Sequence, residues 1–336
     1  MRILVTGCGG FLGSEIVRQL IDRGDEVVGF SRGHYADLEQ RGMQSRRGDL
    51  ADARALTLAA ADCHCVVHTA AIAGISMRRD SYHQTNTIGT RNVIAACREN
   101  GIRSLVFSSS PSVTFDGEDQ SGCDESVPYP KKFLCHYQET KAIAEQEVLA
   151  SNSDQLQTIA LRPHLLWGPN DPHLFPRLVA RARSGRLRCV GDGNNLIDAV
   201  HVTNAAHAHV FAVDRLAAGD SAAAGSAYYI TTDEPVPCWE WIETLLSVAE
   251  IKIKKRQVSL PFAWRVGQCL EIAYRVLRLR GEPPMTRFLA AQLAREHYFD
   301  ISAAKERLGY RPNISMSDGI AALRQAQDLR STAGAN

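Results

Sequence analysis

The sequence predicts an α/β protein with a Rossmann-type doubly wound parallel sheet and a smaller C-terminal substrate-binding lobe. Short apolar runs alternate with helical patterns through the first half, which is typical of βαβ units. A glycine-rich turn follows the first run directly. After Arg162-Pro163 the chain becomes richer in Arg, Ala and Pro. We therefore expect an NAD(P)-binding domain at 1–160 and a substrate-binding lobe at 161–330, interleaved with the sheet near 187–204.

The apolar runs place the expected strands of the first domain. They are 3–6, 27–30, 66–69, 105–108 and 158–161, with a further short strand before Asp49. Between the first two runs, apolar residues recur at helical spacing up to Gly24, which suits the end of a helix. In the second half, 227–231 is expected as an isolated strand of the lobe.

Composition and charge limit the class of protein. The 336 residues are 45% hydrophobic and 22% charged, as in globular proteins, and the formal net charge of +1 gives no electrostatic indication of nucleic-acid binding. The nine cysteines are scattered without a CxxC pair, so we expect reduced thiols and no metal site. The first apolar run is too short for a signal peptide, and we expect a cytoplasmic protein.

The turn after the first strand is the strongest motif. It reads Gly7-Cys8-Gly9-Gly10-Phe11-Leu12-Gly13, a GxxGxxG spacing between a strand and a helix. Glycines there permit a tight turn, a close approach of backbone to a pyrophosphate, and close packing of helix on sheet. The free N–H groups and positive dipole end of the helix then face the phosphates. We predict dinucleotide binding by Gly7, Gly10, Phe11, Leu12 and Gly13.

The end of the second strand predicts which nicotinamide cofactor is used. A carboxylate there would bind the ribose 2′-hydroxyl of NAD, but this chain has Ser31-Arg32, which suits a 2′-phosphate. NADP(H) is therefore favoured. NAD(H) stays open, because Arg32 could instead stack on the adenine or point into solvent. Asp49-Leu50 follows the third strand and is expected beside the adenine, although the same residues also suit a helix N-cap.

Three further strand ends are expected to line the same cleft, because ligands lie across the carboxyl ends of parallel strands. The first ends in Ala70-Ala71, whose small side chains leave room for a ring or ribose. The second ends in the serines 108–110, and the third in Pro163-His164.

Tyr137 and Lys141 are the candidate acid and its cation. They lie four residues apart on a predicted helix and so share a face. An adjacent ammonium would lower the pKa of the phenol toward neutrality, and a serine hydroxyl would hold the carbonyl oxygen of a substrate. Spacing alone is weak evidence, because a Tyr/Lys pair four apart arises by chance in about one of five such sequences. The preceding glycine turn and serine-rich strand end strengthen the prediction.

Residues 260–279 have apolar residues at helical spacing with charges between them, and those charges exclude a membrane span. Two interpretations stay open. The segment is a surface helix packed on the lobe, or it is an apolar lid or membrane-surface helix that admits a lipid-like substrate and makes peripheral membrane contact.

Several motifs together resemble the extended short-chain dehydrogenase/reductases, and within them the 3β-hydroxysteroid dehydrogenase-like branch. They occur in the same order along the chain as in that family. The motifs are VTGCGGFLG (5–13), HTAA (68–71), NTIGTRNV (86–93), SSSPSV (108–113), YQETK (137–141), LRPHLLWGPND (161–171) and VGDGNNLIDAVHVTN (190–204).

The resemblance implies that Tyr137 is the catalytic acid, that Lys141 also holds the nicotinamide ribose, and that Asn86 supports the cofactor site. It implies Ser110 as the partner of the substrate oxygen, with Ser109 and Ser112 as open alternatives. A homodimer is implied as well.

Two groups within this branch look especially similar, the bacterial 2-alkyl-3-oxoalkanoate reductases and the sterol-4α-carboxylate 3-dehydrogenases. Both imply an apolar acid as substrate. Because Ser31-Arg32 favours NADPH, we expect reduction of a long-chain 2-alkyl-3-oxoalkanoate. A sterol or 3β-hydroxysteroid dehydrogenase, a nucleotide-sugar epimerase or dehydratase, and an inactive dinucleotide sensor stay open.

Overall fold

The computed structural model describes residues 1–333, with fifteen strands in that range. The strands are β1 (Arg2–Thr6), β2 (Glu26–Ser31), β3 (Gln44–Arg47), β4 (Cys65–His68), β5 (Ser104–Ser108), β6 (Gln120–Cys123), β7 (Gln157–Pro163), β8 (Leu166–Trp167), β9 (Cys189–Val190), β10 (Leu196–Ile197), β11 (Val200–His201), β12 (Ser226–Ile230), β13 (Val236–Pro237), β14 (Gln257–Val258) and β15 (His297–Phe299).

Helices alternate with the strands. They are α1 (Phe11–Asp22), α2 (Ala36–Gln40), α3 (Ala53–Ala59), α4 (Arg79–Tyr82), α5 (Gly89–Glu99), α6 (His136–Ala150), α7 (Leu174–Arg183), α8 (Val202–Ala217), α9 (Cys238–Val248), α10 (Leu260–Val276), α11 (Arg287–Ala294) and α12 (Met316–Ala333). Short π-helical turns (His83–Ile88 and Ala304–Leu308) and a 3₁₀ turn (Pro111–Thr114) complete the helical elements of this range.

The main sheet has seven parallel strands in the order β12-β7-β5-β4-β1-β2-β3. The chain runs outward from β1 to β3, returns to β4 on the other side of β1, and continues to β12. The order therefore reverses between β1 and β4, where a Rossmann-type sheet opens its ligand crevice. The predicted doubly wound fold is confirmed.

Both faces of this sheet are buried, as a parallel sheet requires. Ile3 and Val5 of β1 pack in one core cluster with α1 and α8, and Leu4 packs in the other with α3, α5 and α6. Successive side chains of a strand point to opposite faces, so the continuous apolar run of β1 supplies both layers. Helices on both faces fix the carboxyl ends of the strands at one edge.

The position of residues 227–231 differs from the prediction. Residues 227–230 lie in β12, which pairs in parallel with β7 as the outermost strand of the main sheet, with Tyr228 beside Leu161, and residue 231 follows directly. The strand was expected in the lobe because an apolar run does not show which sheet will accept it. The division of the chain at residue 160 stays a prediction.

The other C-terminal elements pack beside the carboxyl end of the sheet. α7, α9 and α12 enclose a separate core that includes Trp167, Trp239 and Trp241. A four-stranded sheet in the order β13-β10-β15-β6 joins segments that are far apart in sequence. It brings Asp198, just after β10, next to His297 and Phe299 of β15.

Residues 260–279 form α10 and the turn that follows it. Across residues 1–333, none of the helices combines the length and apolar character needed to cross a bilayer. The same range contains no cluster of side chains suited to a metal ion, and its nine cysteines are free thiols.

Candidate active site

The glycine turn has the geometry that a pyrophosphate requires. Gly7 has a φ of +70°, and a Cβ there would lie 2.8 Å from the Ala70 backbone. A Cβ on Gly13 would lie 2.2 Å from the Gly7 carbonyl oxygen. The N-cap of α1 is Gly10, and no side chain caps the helix. An uncapped helix N-terminus beside a cavity has the geometry that favours an anion.

A cavity of about 480 Å³ extends from the glycine turn along the carboxyl edge of the sheet. Most of the predicted cofactor and catalytic residues line it. They are Gly7, Gly10, Phe11, Leu12, Gly13, Ser31, Arg32, Asp49, Leu50, Ala70, Ala71, Ser110, Tyr137, Lys141 and Pro163. Asn86 and His164 are the predicted residues that do not line this cavity. We call it the dinucleotide cavity.

Asn86 is buried behind the cavity wall. Its side-chain oxygen accepts the Ile72 backbone N–H at 2.8 Å, and its amide nitrogen donates to the Ile72 carbonyl at 3.0 Å and to the Thr140 hydroxyl at 3.2 Å. Asn86 thereby ties the loop that carries Ala71 to the helix that carries Lys141. Through these hydrogen bonds, Asn86 holds the wall of the cavity in position.

At the end of β2, Arg32 is 77% exposed and its guanidinium lies 4.0 Å from the Asp49 carboxylate. Ser31 donates its hydroxyl to the Gly33 carbonyl at 3.3 Å. The helix that follows Asp49 is capped by Asp52, so Asp49 is not its N-cap. Arg32 and Asp49 both line the dinucleotide cavity, where they are paired with each other and Asp49 also accepts the Ala51 N–H at 3.0 Å.

A second cavity of about 220 Å³ adjoins the first. Its walls are mainly apolar, with Phe115, Phe288 and Phe299 among the lining side chains. Within residues 1–333, Ser110 and Tyr137 line both cavities. Any group held in the second cavity therefore meets the dinucleotide cavity at these two hydroxyls. We call it the substrate cavity.

The three candidate serines occupy different places. Ser109 lines the dinucleotide cavity and Ser112 lines the substrate cavity, whereas Ser110 lines both. Ser110 and Ser112 are connected through their hydroxyl oxygens, 3.0 Å apart. Ser110 also forms a hydrogen bond with the Tyr137 phenol. Burial raises the pKa of Tyr137, and this hydrogen bond lowers it by a smaller amount.

The expected lowering of the Tyr137 pKa by Lys141 is not observed. Burial raises the pKa of Tyr137 to about 12. Lys141 is itself buried, which lowers its pKa to about 7, with Glu145 acting in the opposite direction. Its Nζ donates to the Ser108 carbonyl at 2.5 Å and lies 3.9 Å from the centre of the Phe107 ring. A lysine near half-protonation has less charge with which to stabilise a phenolate.

His164 lines the substrate cavity and not the predicted dinucleotide cavity, because two side chains from distant segments hold it there. Its Nδ1 lies 2.6 Å from the Asp198 carboxylate and its Nε2 lies 3.1 Å from Nδ1 of His297. Nε2 of His297 donates to the Gln292 carbonyl at 2.7 Å. Asp198 also accepts the Phe299 N–H. Sequence reasoning missed Asp198 and His297: Asp198 lies within the motif at 190–204, but nothing local shows that it meets His164 and the distant His297.

The protonation of this network follows from its geometry. Burial lowers the pKa of His297 to about 3, so its imidazole is neutral at neutral pH and its Nδ1 must accept. His164 must then donate from Nε2 to His297, while its Nδ1 lies against the Asp198 carboxylate. These contacts fix this wall of the substrate cavity.

Comparison with known proteins identifies the family. Residues 4–262 match the model of the 3-beta hydroxysteroid dehydrogenase/isomerase family, which is more than half of the chain. The chain belongs to this family. Its relatives are named as dehydrogenases and reductases, and the chain is an NAD(P)-dependent oxidoreductase.

Two relatives of this family member are informative. It is 48% identical over 327 residues to 2-alkyl-3-oxoalkanoate reductase of Stenotrophomonas maltophilia, covering 96% of this chain and 98% of the relative. It is 34% identical over 324 residues to the human sterol-4-alpha-carboxylate 3-dehydrogenase, decarboxylating, covering 95% of this chain and 86% of the relative.

Among solved structures, UDP-glucuronic acid 4-epimerase from Bacillus cereus in complex with NAD matches with a TM-score of 0.74, covering 98% of this chain and 99% of that one. The identity is 22%, so this similarity concerns the fold alone.

The residues of the dinucleotide cavity fit a nicotinamide dinucleotide. Gly7 and Gly13 leave room for phosphates at the uncapped start of α1, and Lys141 and Tyr137 stand at the far end of the same cavity. That arrangement would bind the pyrophosphate at one end and the nicotinamide ribose at the other.

Proposed function

We propose that this protein reduces the 3-oxo group of a long-chain 2-alkyl-3-oxoalkanoate to the 3-hydroxy acid, using NADPH. The observation that carries the proposal is the meeting of the two cavities at Ser110 and Tyr137. A ketone held in the substrate cavity would place its oxygen at these hydroxyls. The high identity to a relative named 2-alkyl-3-oxoalkanoate reductase supports this substrate class.

The chain's own residues account for the chemistry around the ketone. The dinucleotide supplies the hydride when bound. Ser110 holds the ketone oxygen by a hydrogen bond, and Tyr137 gives the oxygen its proton. The raised pKa of Tyr137 keeps the phenol protonated at neutral pH, which suits a proton donor. Lys141 orients the ribose while its amine stays tied to the Ser108 carbonyl.

The lining of the substrate cavity supports an apolar substrate with a polar head. Three phenylalanines line it, and Gln120 and Gln292 supply polar groups. Burying a methylene group there would contribute about 0.8 kcal/mol. The affinity for an alkyl chain in this cavity would therefore come from the apolar surface that it buries, while the hydroxyls of Ser110 and Tyr137 would select the keto group.

The preference for NADPH rests on Arg32. It lines the dinucleotide cavity at the end of β2, where its guanidinium is exposed and able to grip a 2′-phosphate. Asp49 opposes this preference, because its carboxylate lies near the same place and would suit the 2′-hydroxyl of NAD. The expected balance is a preference for NADPH with some use of NADH.

A sterol-4α-carboxylate 3-dehydrogenase is the second candidate. The identity to the human enzyme of that name extends over nearly the whole chain, and its substrate is also an acid with a nearby oxygen. An NAD-dependent oxidation would require that Asp49 binds the ribose 2′-hydroxyl more strongly than Arg32 binds a 2′-phosphate. An epimerase has no support beyond the shared fold. The predicted homodimer also stays a prediction.

A substrate panel tests the proposal. The purified protein is assayed for NADPH and NADH consumption with a long-chain 2-alkyl-3-oxo acid, a 3-oxosteroid and a UDP-sugar. We expect consumption of NADPH with the oxo acid and little with the other two. Turnover of the steroid alone, or faster oxidation of a sterol carboxylate with NAD, would favour the second candidate.

A pair of arginine variants tests the cofactor preference. Arg32→Ala should raise the KM for NADPH about tenfold, the effect of about 1.4 kcal/mol, and leave that for NADH nearly unchanged. Arg41→Ala is the matched control, since it removes another exposed arginine of the same domain outside the cavity. If Arg32→Ala changes the KM for NADPH no more than Arg41→Ala does, or changes the KM values for NADPH and NADH equally, Arg32 does not bind the 2′-phosphate.

A further inference from the structure

The substrate cavity offers no cation to the carboxylate of the proposed substrate. Across residues 1–333, no Lys or Arg lines this cavity, and its two histidines, His164 and His297, are hydrogen-bonded to each other. A carboxylate buried there without a partner would be strongly destabilised by desolvation. The acid group of the substrate therefore belongs at the edge of the cavity, where a charged side chain can reach it.

One edge of the cavity is a backbone turn that already holds a carboxylate. Gly74 and Ile75 line the cavity, and the Ile75 N–H donates to Oε1 of Glu282 at 3.2 Å. Gly74 has a φ of +103°, and a Cβ there would lie 2.0 Å from the same oxygen. The Glu282 carboxylate therefore lies where only a glycine leaves room for it.

Arg177 of α7 binds the same carboxylate. Its Nη1 lies 3.0 Å from Oε2 of Glu282, and its Nη2 donates to Oε1 at 3.4 Å, which is the paired geometry between a guanidinium and a carboxylate. The two side chains are 54% and 32% exposed, and an ion pair in contact with water separates easily. The backbone N–H and the guanidinium together have the chemistry of a carboxylate site.

Positive charge exceeds negative charge beside this turn. Arg181 lies one turn after Arg177 on α7 and donates to the Pro284 carbonyl at 3.2 Å. It forms no ion pair in the described part of the chain, so the segment that carries Glu282 faces two guanidinium groups with one carboxylate. This local surplus attracts a second anion.

A buried phenol lies beside the same turn. Tyr82 is 1% exposed, and its oxygen accepts the Ser76 N–H at 2.9 Å. The same oxygen lies 3.7 Å from the position that a Cβ on Gly74 would take. Among residues 1–333 its O–H has no acceptor, so its proton is available to a carboxylate at Gly74.

We infer that the Gly74–Ile75 turn and Arg177 bind the carboxylate of the substrate, and that Glu282 occupies this place until the substrate displaces it. We call the place the carboxylate subsite. This assignment rests on the proposed function, reduction of a 3-oxo acid. In such an acid the carboxyl carbon is two bonds from the ketone carbon, so both groups have to border one cavity. The turn borders the substrate cavity, as do the two hydroxyls that would hold the ketone.

Kinetics with an acid and its methyl ester test the assignment. The long-chain 2-alkyl-3-oxo acid and its methyl ester differ in the charge that the subsite would bind, so the ratio of their KM values reports on that charge. Arg177→Met should raise the acid-to-ester ratio about tenfold, because the guanidinium is lost. Glu282→Gln should lower the ratio about threefold or more, because the competing carboxylate is lost.

The opposite directions separate a carboxylate subsite from a structural latch, which the loss of either partner would weaken alike. Arg91→Met and Glu147→Gln are the matched controls. This ion pair has similar exposure, 49% and 29%, and lines neither cavity, so both variants should keep the parent ratio. Changes in the same direction for Arg177→Met and Glu282→Gln, or changes no larger than in the controls, would overturn the assignment.

Binding of decanoate distinguishes failure of the subsite from failure of the proposed reaction. Decanoate has a carboxylate and an alkyl chain but no ketone, and titration calorimetry in the presence of NADP⁺ measures its Kd. Arg177→Met should raise this Kd about tenfold, and Glu282→Gln should lower it.

If no 3-oxo compound is reduced but decanoate shows this pattern, the reaction is wrong and the subsite stands. If the oxo acid is reduced and neither the KM ratio nor the decanoate Kd responds to Arg177→Met, the subsite is wrong and the reaction stands. Absence of both reduction and decanoate binding would overturn both.

Discussion

Replacing Lys141 with methionine should make the protein more stable near neutral pH. Lys141 is 2% exposed, and burial lowers the pKa of its amine from 10.5 to about 7. In the unfolded chain the amine is fully hydrated and protonated at pH 7, so folding must transfer it to an environment that disfavours its charge. Methionine has a similar length and no charge to desolvate.

The sign and size of the effect follow from linkage. Between the two pKa values the unfolded state binds more protons than the folded state, so the free energy of unfolding rises with pH. At about 1.36 kcal/mol per pKa unit, the lysine costs about 4 kcal/mol at pH 7 and about 2 kcal/mol at pH 9. Loss of the hydrogen bond to the Ser108 carbonyl subtracts about 1–3 kcal/mol from the gain at every pH.

Urea denaturation of the parent and of Lys141→Met at several pH values between 7 and 9 measures the difference. The stability advantage of the variant should shrink by about 2 kcal/mol over this range. Buried thiols such as Cys97 also contribute to the pH dependence, but they are the same in both proteins and cancel in the difference. Lys252→Met, at an exposed site, should show no such trend. A difference that stays constant or grows with pH would refute the reasoning.

Three other substitutions test the site. Tyr137→Phe should lower kcat about 10²–10⁴-fold with dinucleotide affinity retained in a fluorescence titration, and near-normal turnover would disprove its role as acid. Gly13→Ala places a Cβ 2.2 Å from the Gly7 carbonyl oxygen. The dinucleotide affinity should therefore fall at least tenfold, and the thermal unfolding midpoint should drop. An unchanged affinity would contradict the close packing. Asp198→Ala leaves both the His164 Nδ1 and the Phe299 N–H without their buried carboxylate partner, so urea denaturation should show a loss of about 1–3 kcal/mol, and no loss would contradict the proposed network.

The parts of the fold that the sequence predicted depend on local chemistry. The continuous apolar run of β1, the glycines after it and the start of α1 are adjacent in the chain, so their identity fixes their geometry. The same holds for Tyr137 and Lys141, which α6 places one turn apart. Strand ends of a parallel sheet meet at one edge by topology, which brought Ser110 to the predicted cleft.

The parts that were missed depend on contacts between distant segments. The strand at 227–231 joins the main sheet because β7 presents a free edge, and its own residues contain no sign of that partner. His164 leaves the dinucleotide cavity because Asp198 and His297 hold it, at separations of 34 and 133 residues. The net shift of the Tyr137 pKa is upward and not downward, because burial dominates it, and spacing shows proximity but not burial.

The two pKa shifts at the site are of the kind that the proposed reduction needs. A phenol whose pKa is raised to about 12 is protonated at neutral pH, so a proton is available for a ketone oxygen as it gains negative charge. Oxidation of an alcohol would instead need the phenolate, which burial disfavours and which a half-neutral Lys141 stabilises only weakly. Burial of this pair is therefore consistent with the proposed use of NADPH, the usual donor for reduction.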